Sequence, residues 1–151
     1  MIRRRLLRFP RLFVALFEPD DSELGALGEE VAASHYLHNG WRILARRLRT
    51  RSGEADLVAR RGSILAVVEV KTARAHLLPR PLQRPAGRAL PADLGLRWRP
   101  GFRCDAQRLA RLQRVARELA ASRVDLVEIF LDPGPRRFRL LHHEDLRRPL
   151  A

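Results

Sequence analysis

Gly53-Glu54-Ala55-Asp56-Leu57-Val58, followed by Leu65-Ala66-Val67-Val68-Glu69-Val70-Lys71, decides how this chain is read. The second run is almost wholly aliphatic and β-branched. Arg61-Gly62 between the two supplies a tight turn, so the pattern predicts a hairpin of two strands. Asp56, Glu69 and Lys71 stand inside these apolar runs. Taking an unpaired charge out of water costs several kcal/mol or more, so charges there point to chemistry or to deliberate pairing.

With a two-residue loop at Arg61-Gly62, Asp56 falls opposite Val67 and Glu54 opposite Glu69. Side chains two apart on a strand share a face, so Asp56, Glu69 and Lys71 are expected to project together. Asp56 and Glu69 become diagonal neighbours, roughly 5–8 Å apart. Two carboxylates at that spacing repel unless a divalent cation lies between them. Hard oxygen donors with positions left for water suit Mg²⁺ or Mn²⁺. Such an ion activates water and offsets charge at a phosphodiester, and Lys71 would steady the phosphate or the nucleophile. A three-residue loop would instead turn Asp56 to the opposite face. The plainer alternative makes Glu69 and Lys71 the guard charges of an edge strand. The apolar run Ile64–Val68 argues for a central strand covered on both sides.

Composition supports a polyanionic partner. The 151 residues carry a net charge of +13 with 46% hydrophobic residues, enough to form a core. Nucleic acid and an anionic membrane surface both fit that charge. Lys71 is the only lysine among 30 Lys and Arg residues. A compact ammonium acts as a point charge where the planar arginine fork does not, which marks this position for chemistry. The single Cys104 excludes an intramolecular disulfide and a multi-cysteine zinc site, as suits a reducing compartment. No segment reaches the roughly 20 apolar residues of a membrane span. The expectation is a cytoplasmic protein without stable membrane insertion.

Taken in order, residues 1–20 form a basic and apolar arm, 21–146 a folded domain and 147–151 a tail. Asp20, Asp21 or Ser22 caps a helix running to Asn39, with Gly40 as its stop. Its inward stripe is Glu29, Ala32, Ala33, Tyr36 and Leu37. Trp41–Leu48 is the first strand, and the hairpin provides the second and third. The Pro- and Arg-rich stretch 74–103 reads as a long loop in which Arg97, Trp98 and Arg99 could stack on bases and neutralise phosphates. A second helix from Asp105 to Ser122 buries Leu109, Leu112, Ala116 and Leu119. It sets Arg108, Arg111, Arg114 and Arg117 in a ridge that reads as a solvated face. Val124–Leu131 and Arg137–Leu141 complete the sheet. The fold class is α/β: helix, three strands, helix, strands, around a mixed sheet.

Asp56 with Glu69-Val70-Lys71 resembles the PD-(D/E)xK nuclease superfamily, which includes archaeal Holliday-junction resolvases. Gly28-Glu29-Glu30-Val31-Ala32-Ala33, Gly40, Ile43-Leu44-Ala45-Arg46, Gly53-Glu54-Ala55-Asp56-Leu57-Val58 and Val68-Glu69-Val70-Lys71-Thr72 resemble more closely the YraN family of small bacterial proteins. That resemblance covers about residues 24 to 146 and implies a restriction-endonuclease-like core. It implies Glu29, Asp56 and Glu69 as metal carboxylates, Lys71 as the catalytic lysine and Glu54 as a supporting residue. Arg47 stands where the family has an asparagine, and Gln107 or Arg108 where it often has a lysine. The expected function is Mg²⁺- or Mn²⁺-dependent endonucleolytic hydrolysis of DNA, branched or structured DNA included. Arg74, Arg97, Trp98, Arg99, Arg108 and Arg111 are the expected nucleic-acid contacts, and a homodimer would meet both strands. The alternative is a protein that binds nucleic acid without cutting it.

Overall fold

The computed structural model describes residues 7–74, 106–132 and 137–146. The Pro- and Arg-rich stretch 75–103, the tail 147–151 and the turn at residues 133–136 lie outside them. The arm contains a short helix, α1 (Pro10–Leu16), in which Phe13 and Val14 are buried against Leu24, Leu27 and Leu131. The main helix, α2 (Asp21–His38), starts at a capping box: the Asp20 carboxylate accepts from Glu23 N at 2.8 Å, and the Glu23 carboxylate accepts from Asp20 N at 3.0 Å. Gly40, at φ 77, follows its end.

The strands are β1 (Arg42–Thr50), β2 (Gly53–Arg61), β3 (Ile64–Arg74), β4 (Arg123–Asp132) and β5 (Arg137–His143), with α3 (Ala106–Glu118) between β3 and β4. They form one mixed five-stranded sheet in sequence order. β3 runs parallel to β4 and the other neighbours are antiparallel. A parallel step needs a crossover, and α3 lies within it. α2 covers one face of the sheet through Ala32, Ala33 and Tyr36 against Leu57, Val68, Val70 and Ile129. α3 covers the other through Leu112, Val115 and Ala116 against Val58, Val67, Val124 and Leu126. Among the described residues no helix is long and apolar enough to cross a membrane.

Three expectations change. The hairpin loop is Gly62-Ser63, because Arg61 pairs with Ile64. Gly62 takes φ 58, which the first position of a two-residue hairpin loop demands. The pairing therefore moves by two residues: Val67 lies opposite Val58, and Asp56 is brought towards Glu69. Leu37 is 54% exposed, because Leu24, Leu27, Gly28, Ala32, Ala33 and Tyr36 make the buried stripe and Leu37 lies beyond its rim. α3 ends at Glu118, earlier than the apolar pattern suggests, where Ala120 turns to φ 52.

Gly28 sets the approach of α2 to β3. A Cβ there would sit 1.8 Å from Thr72 Oγ1 and 2.9 Å from Thr72 Cβ. Gly28→Ala gains about 1 kcal/mol of helix propensity but overpacks a tight contact at a cost of about 1–3 kcal/mol, so it lowers stability. Gly25→Ala, on the same helix with no atom within 4 Å of its added Cβ, raises it. Urea unfolding of the two variants checks the opposite signs.

Candidate active site

The β2–β3 pairing ends at Leu57↔Val68, although β2 continues back to Gly53 and β3 on to Arg74. The backbone N–H of Val70, just past the last pair, is taken up by a side chain: Asp56 Oδ2 accepts it at 2.6 Å. Asp56 therefore lies alongside the β3 backbone, in place of a strand carbonyl. Strict alternation also breaks here. Ala55 and Val58 both pack on the α3 side, while Leu57 packs on the α2 side. The face-sharing argument for Asp56 gives way to a more direct contact with the strand that bears Glu69 and Lys71.

Glu69 is 3% exposed. Lys71 Nζ lies 2.5 Å from its Oε1, Arg108 Nε 3.5 Å from the same oxygen, and Arg111 Nη2 3.8 Å from Oε2. The ridge on α3 thus divides. Arg114 and Arg117 are exposed, whereas Arg108 and Arg111 are partly buried and turned to Glu69. Gly53, at φ 144, makes room for this: a Cβ on it would lie 2.9 Å from Arg111 Cδ. Arg111 Nε is buried without a hydrogen-bond acceptor among the described residues.

Burial and the nearby Glu69 charge push the Asp56 carboxyl up to about 6, against the opposing pull of the Val70 N–H and Lys71. Glu29 adds to the same negative field. Its own carboxylate is held by Arg47, whose Nε and Nη2 donate at 2.8 and 2.9 Å. Among the described residues no three His, Cys, Asp or Glu side chains converge as a preformed metal cage. Asp56 and Glu69 nevertheless fit a hard divalent cation as donors, since a half-buried and a buried carboxylate repel each other there and a cation would relieve that repulsion.

The remaining expected residues fall elsewhere. Glu54 pairs with Arg49 on β1 at 3.0 Å and does not stand opposite Glu69. Arg74 donates to Asp21 and to the Pro19 carbonyl, both at 2.6 Å, bracing the start of α2. Arg97, Trp98 and Arg99 lie outside the described residues.

Sequence reasoning passed over a second buried polar group, on the α2 face of the sheet. Asp125 is fully buried in β4 and accepts from Tyr36 Oη at 2.5 Å, Arg123 Nη2 at 2.8 Å, His142 Nε2 at 3.0 Å and Asp145 N at 2.9 Å. Burial raises its pKa, but these hydrogen bonds outweigh burial and hold it below the ordinary carboxylate value. The Arg61 and Arg123 guanidinium groups lie over the Trp41 ring, 4.8 and 4.7 Å from its centre. The signal was present: Asp125 and Glu128 interrupt Val124–Leu131 just as Glu69 interrupts β3.

The sequence profile of the uncharacterised protein family UPF0102 matches residues 28–129, a span that includes Glu29, Asp56, Glu69, Lys71, Arg108 and Arg111. A UPF0102 protein of Symbiobacterium thermophilum is 38% identical over 117 residues, covering 74% of this chain and 84% of its own length. UPF0102 proteins of Rhizorhabdus wittichii and Acidothermus cellulolyticus are 56% identical over 48 residues and 53% over 60, covering 32% and 40% of this chain and 41% and 46% of their own lengths. With a profile match over most of its length and a relative aligned over about three quarters of it, the chain belongs to the UPF0102 family, also called the YraN family.

Proposed function

We propose that this protein is a divalent-metal-dependent endonuclease acting on DNA, built on a restriction-endonuclease-like core. One observation carries the reading: Asp56, Glu69 and Lys71 meet where β2 leaves β3, two carboxylates and an ammonium in a chain of net charge +13. Asp56 and Glu69 would hold the cation, which when bound lowers the pKa of a coordinated water and offsets charge at phosphorus. Lys71 would donate from Nζ to the attacking water or to a phosphate oxygen. Arg108 and Arg111 would hold the phosphate through their forks. The water oxygen would bond to phosphorus as the phosphorus–oxygen bond to the leaving deoxyribose breaks; the water's proton passes to solvent, and the leaving oxygen takes one up from solvent. A homodimer would set one such site on each strand of a duplex.

Single-stranded, duplex and branched DNA incubated with Mg²⁺ test this. Cleavage that EDTA stops, and that Lys71→Ala loses while still binding DNA, is the expected result. Equal cleavage by both proteins would assign the activity to something else. A non-catalytic reading has its own support, since three cations around Glu69 already compensate its charge. Salt-sensitive DNA binding with no cleavage of any substrate would favour that reading.

A further inference from the structure

Arg47 combines three features that a passive surface arginine lacks. It sits within β1 at φ 47, a left-handed conformation unfavourable for a long side chain. That backbone delivers its guanidinium in a two-pronged contact to Glu29, at 2.8 and 2.9 Å. The arginine side chain is still 59% exposed, whereas that of Glu29 is 21% exposed. Hydrogen bonding and charge from Glu29, and then the charges of Asp56 and Glu54, favour its protonated form. Arg47 is thus the counter-ion of Glu29, as Lys71, Arg108 and Arg111 are of Glu69. While its fork is closed on Glu29, each carboxylate oxygen gives one lone pair to the guanidinium, so the carboxylate cannot grip a metal with both oxygens from that side. The same fork matches a backbone phosphate and is open to solvent.

We propose that Arg47 is an exchangeable counter-ion. A nucleic-acid phosphate takes the guanidinium from Glu29, and the released carboxylate joins Asp56 and Glu69 around a divalent cation, so that cation and nucleic acid bind with positive cooperativity. The proposal rests on the metal-site reading above. It runs against the ordinary salt effect, in which added divalent cations weaken DNA binding by competing for phosphates.

Calorimetric titration of the whole protein with Ca²⁺, with and without a short DNA duplex, tests it. The duplex is expected to raise Ca²⁺ affinity about tenfold, and Ca²⁺ to raise duplex affinity by the same factor, because coupling between two sites is reciprocal. Arg47→Asn suits the left-handed backbone. It should bind Ca²⁺ about tenfold more tightly than the wild type when free, with no further gain from the duplex. Glu29→Gln should lower Ca²⁺ affinity mainly in the duplex complex. Equal Ca²⁺ affinity of the wild type with and without bound duplex, or undiminished coupling in Arg47→Asn, overturns the exchange and leaves the metal site standing. Failure to bind Ca²⁺ under either condition overturns both readings, and failure to bind duplex overturns the exchange together with the DNA assignment.

Discussion

Asp56→Asn is expected to give a more stable protein that no longer binds a divalent cation or cuts DNA. The wild-type carboxyl is pushed up to about 6 by burial and by Glu69, against about 3.9 in an unfolded chain. Between those two values the folded state binds the proton and the unfolded state does not. Wild-type stability therefore falls as pH rises through that window and stays at the lower level above it. At neutral pH the penalty is about 2–3 kcal/mol. An amide at position 56 keeps an oxygen for the Val70 N–H, which the carboxylate accepts at 2.6 Å, but carries no charge to repel Glu69. The two proteins should match near pH 4 and diverge by pH 7, with the variant more stable. Urea unfolding at both pH values reads the difference, and calorimetry reads the lost cation binding. A variant less stable at pH 7, or one that still binds the cation, would count against this account of the site. Such opposite effects on stability and activity are what a site of crowded charge produces.

Asp125→Ala is expected to destabilise the fold strongly. The carboxylate is fully buried and accepts from Tyr36, Arg123, His142 and the Asp145 backbone. Removing it leaves the buried Arg123 with only the exposed Glu144 as a charge partner, at 3.2 Å, and the Tyr36 hydroxyl with only His142 Nε2, at 3.0 Å. Breaking a buried pair in this way costs about 3–5 kcal/mol, a large share of the 5–15 kcal/mol that holds a domain of this size folded. The pH dependence has the sign opposite to that of Asp56. Asp125 is held below the ordinary value, so its contribution is present above that range and is lost as pH falls through its lowered pKa. The gap between wild type and variant should narrow in acid. If Asp125→Ala proves too unstable to measure, Asp125→Asn keeps the shape and removes the charge, and should show a smaller loss. A loss of under 1 kcal/mol in both variants would mean that the cluster is not a brace.

The two carboxylates illustrate what could and could not be read beforehand. Asp56 and Asp125 each interrupt an apolar strand, and from the sequence alone they are the same kind of anomaly. One lies beside another carboxylate and is strained by it, while the other lies beside Arg123 and Tyr36 and is satisfied by them. The one local cue is Arg123, two positions from Asp125 on the same strand; Tyr36 stands 89 positions from Asp125 and Val70 14 from Asp56, so the other partners depend on which strands and helices pack together. The hairpin loop shows the narrower limit. A glycine in the turn was legible, but whether it takes the first or second loop position was not, and one step there moves every cross-strand partner by two residues.

The short helix Pro10–Leu16 in the arm was not legible along the chain; legible there were the order of the five strands and the two longer helices, a cap among Asp20, Asp21 and Ser22, the glycine turn of the hairpin, and the charges Asp56, Glu69 and Lys71 inside its apolar strands. These follow from rules acting over a few residues: period two against 3.6, side-chain oxygens capping free N–H groups, and glycine at positive φ. Packing between distant elements settled that β2 and β3 stop pairing at Leu57↔Val68, leaving the Val70 N–H to Asp56. It also decided that Arg108 and Arg111 turn inward to Glu69, and that Arg47 closes on Glu29. Charges find their partners through the packing of distant elements, where burial strengthens each attraction and each repulsion alike.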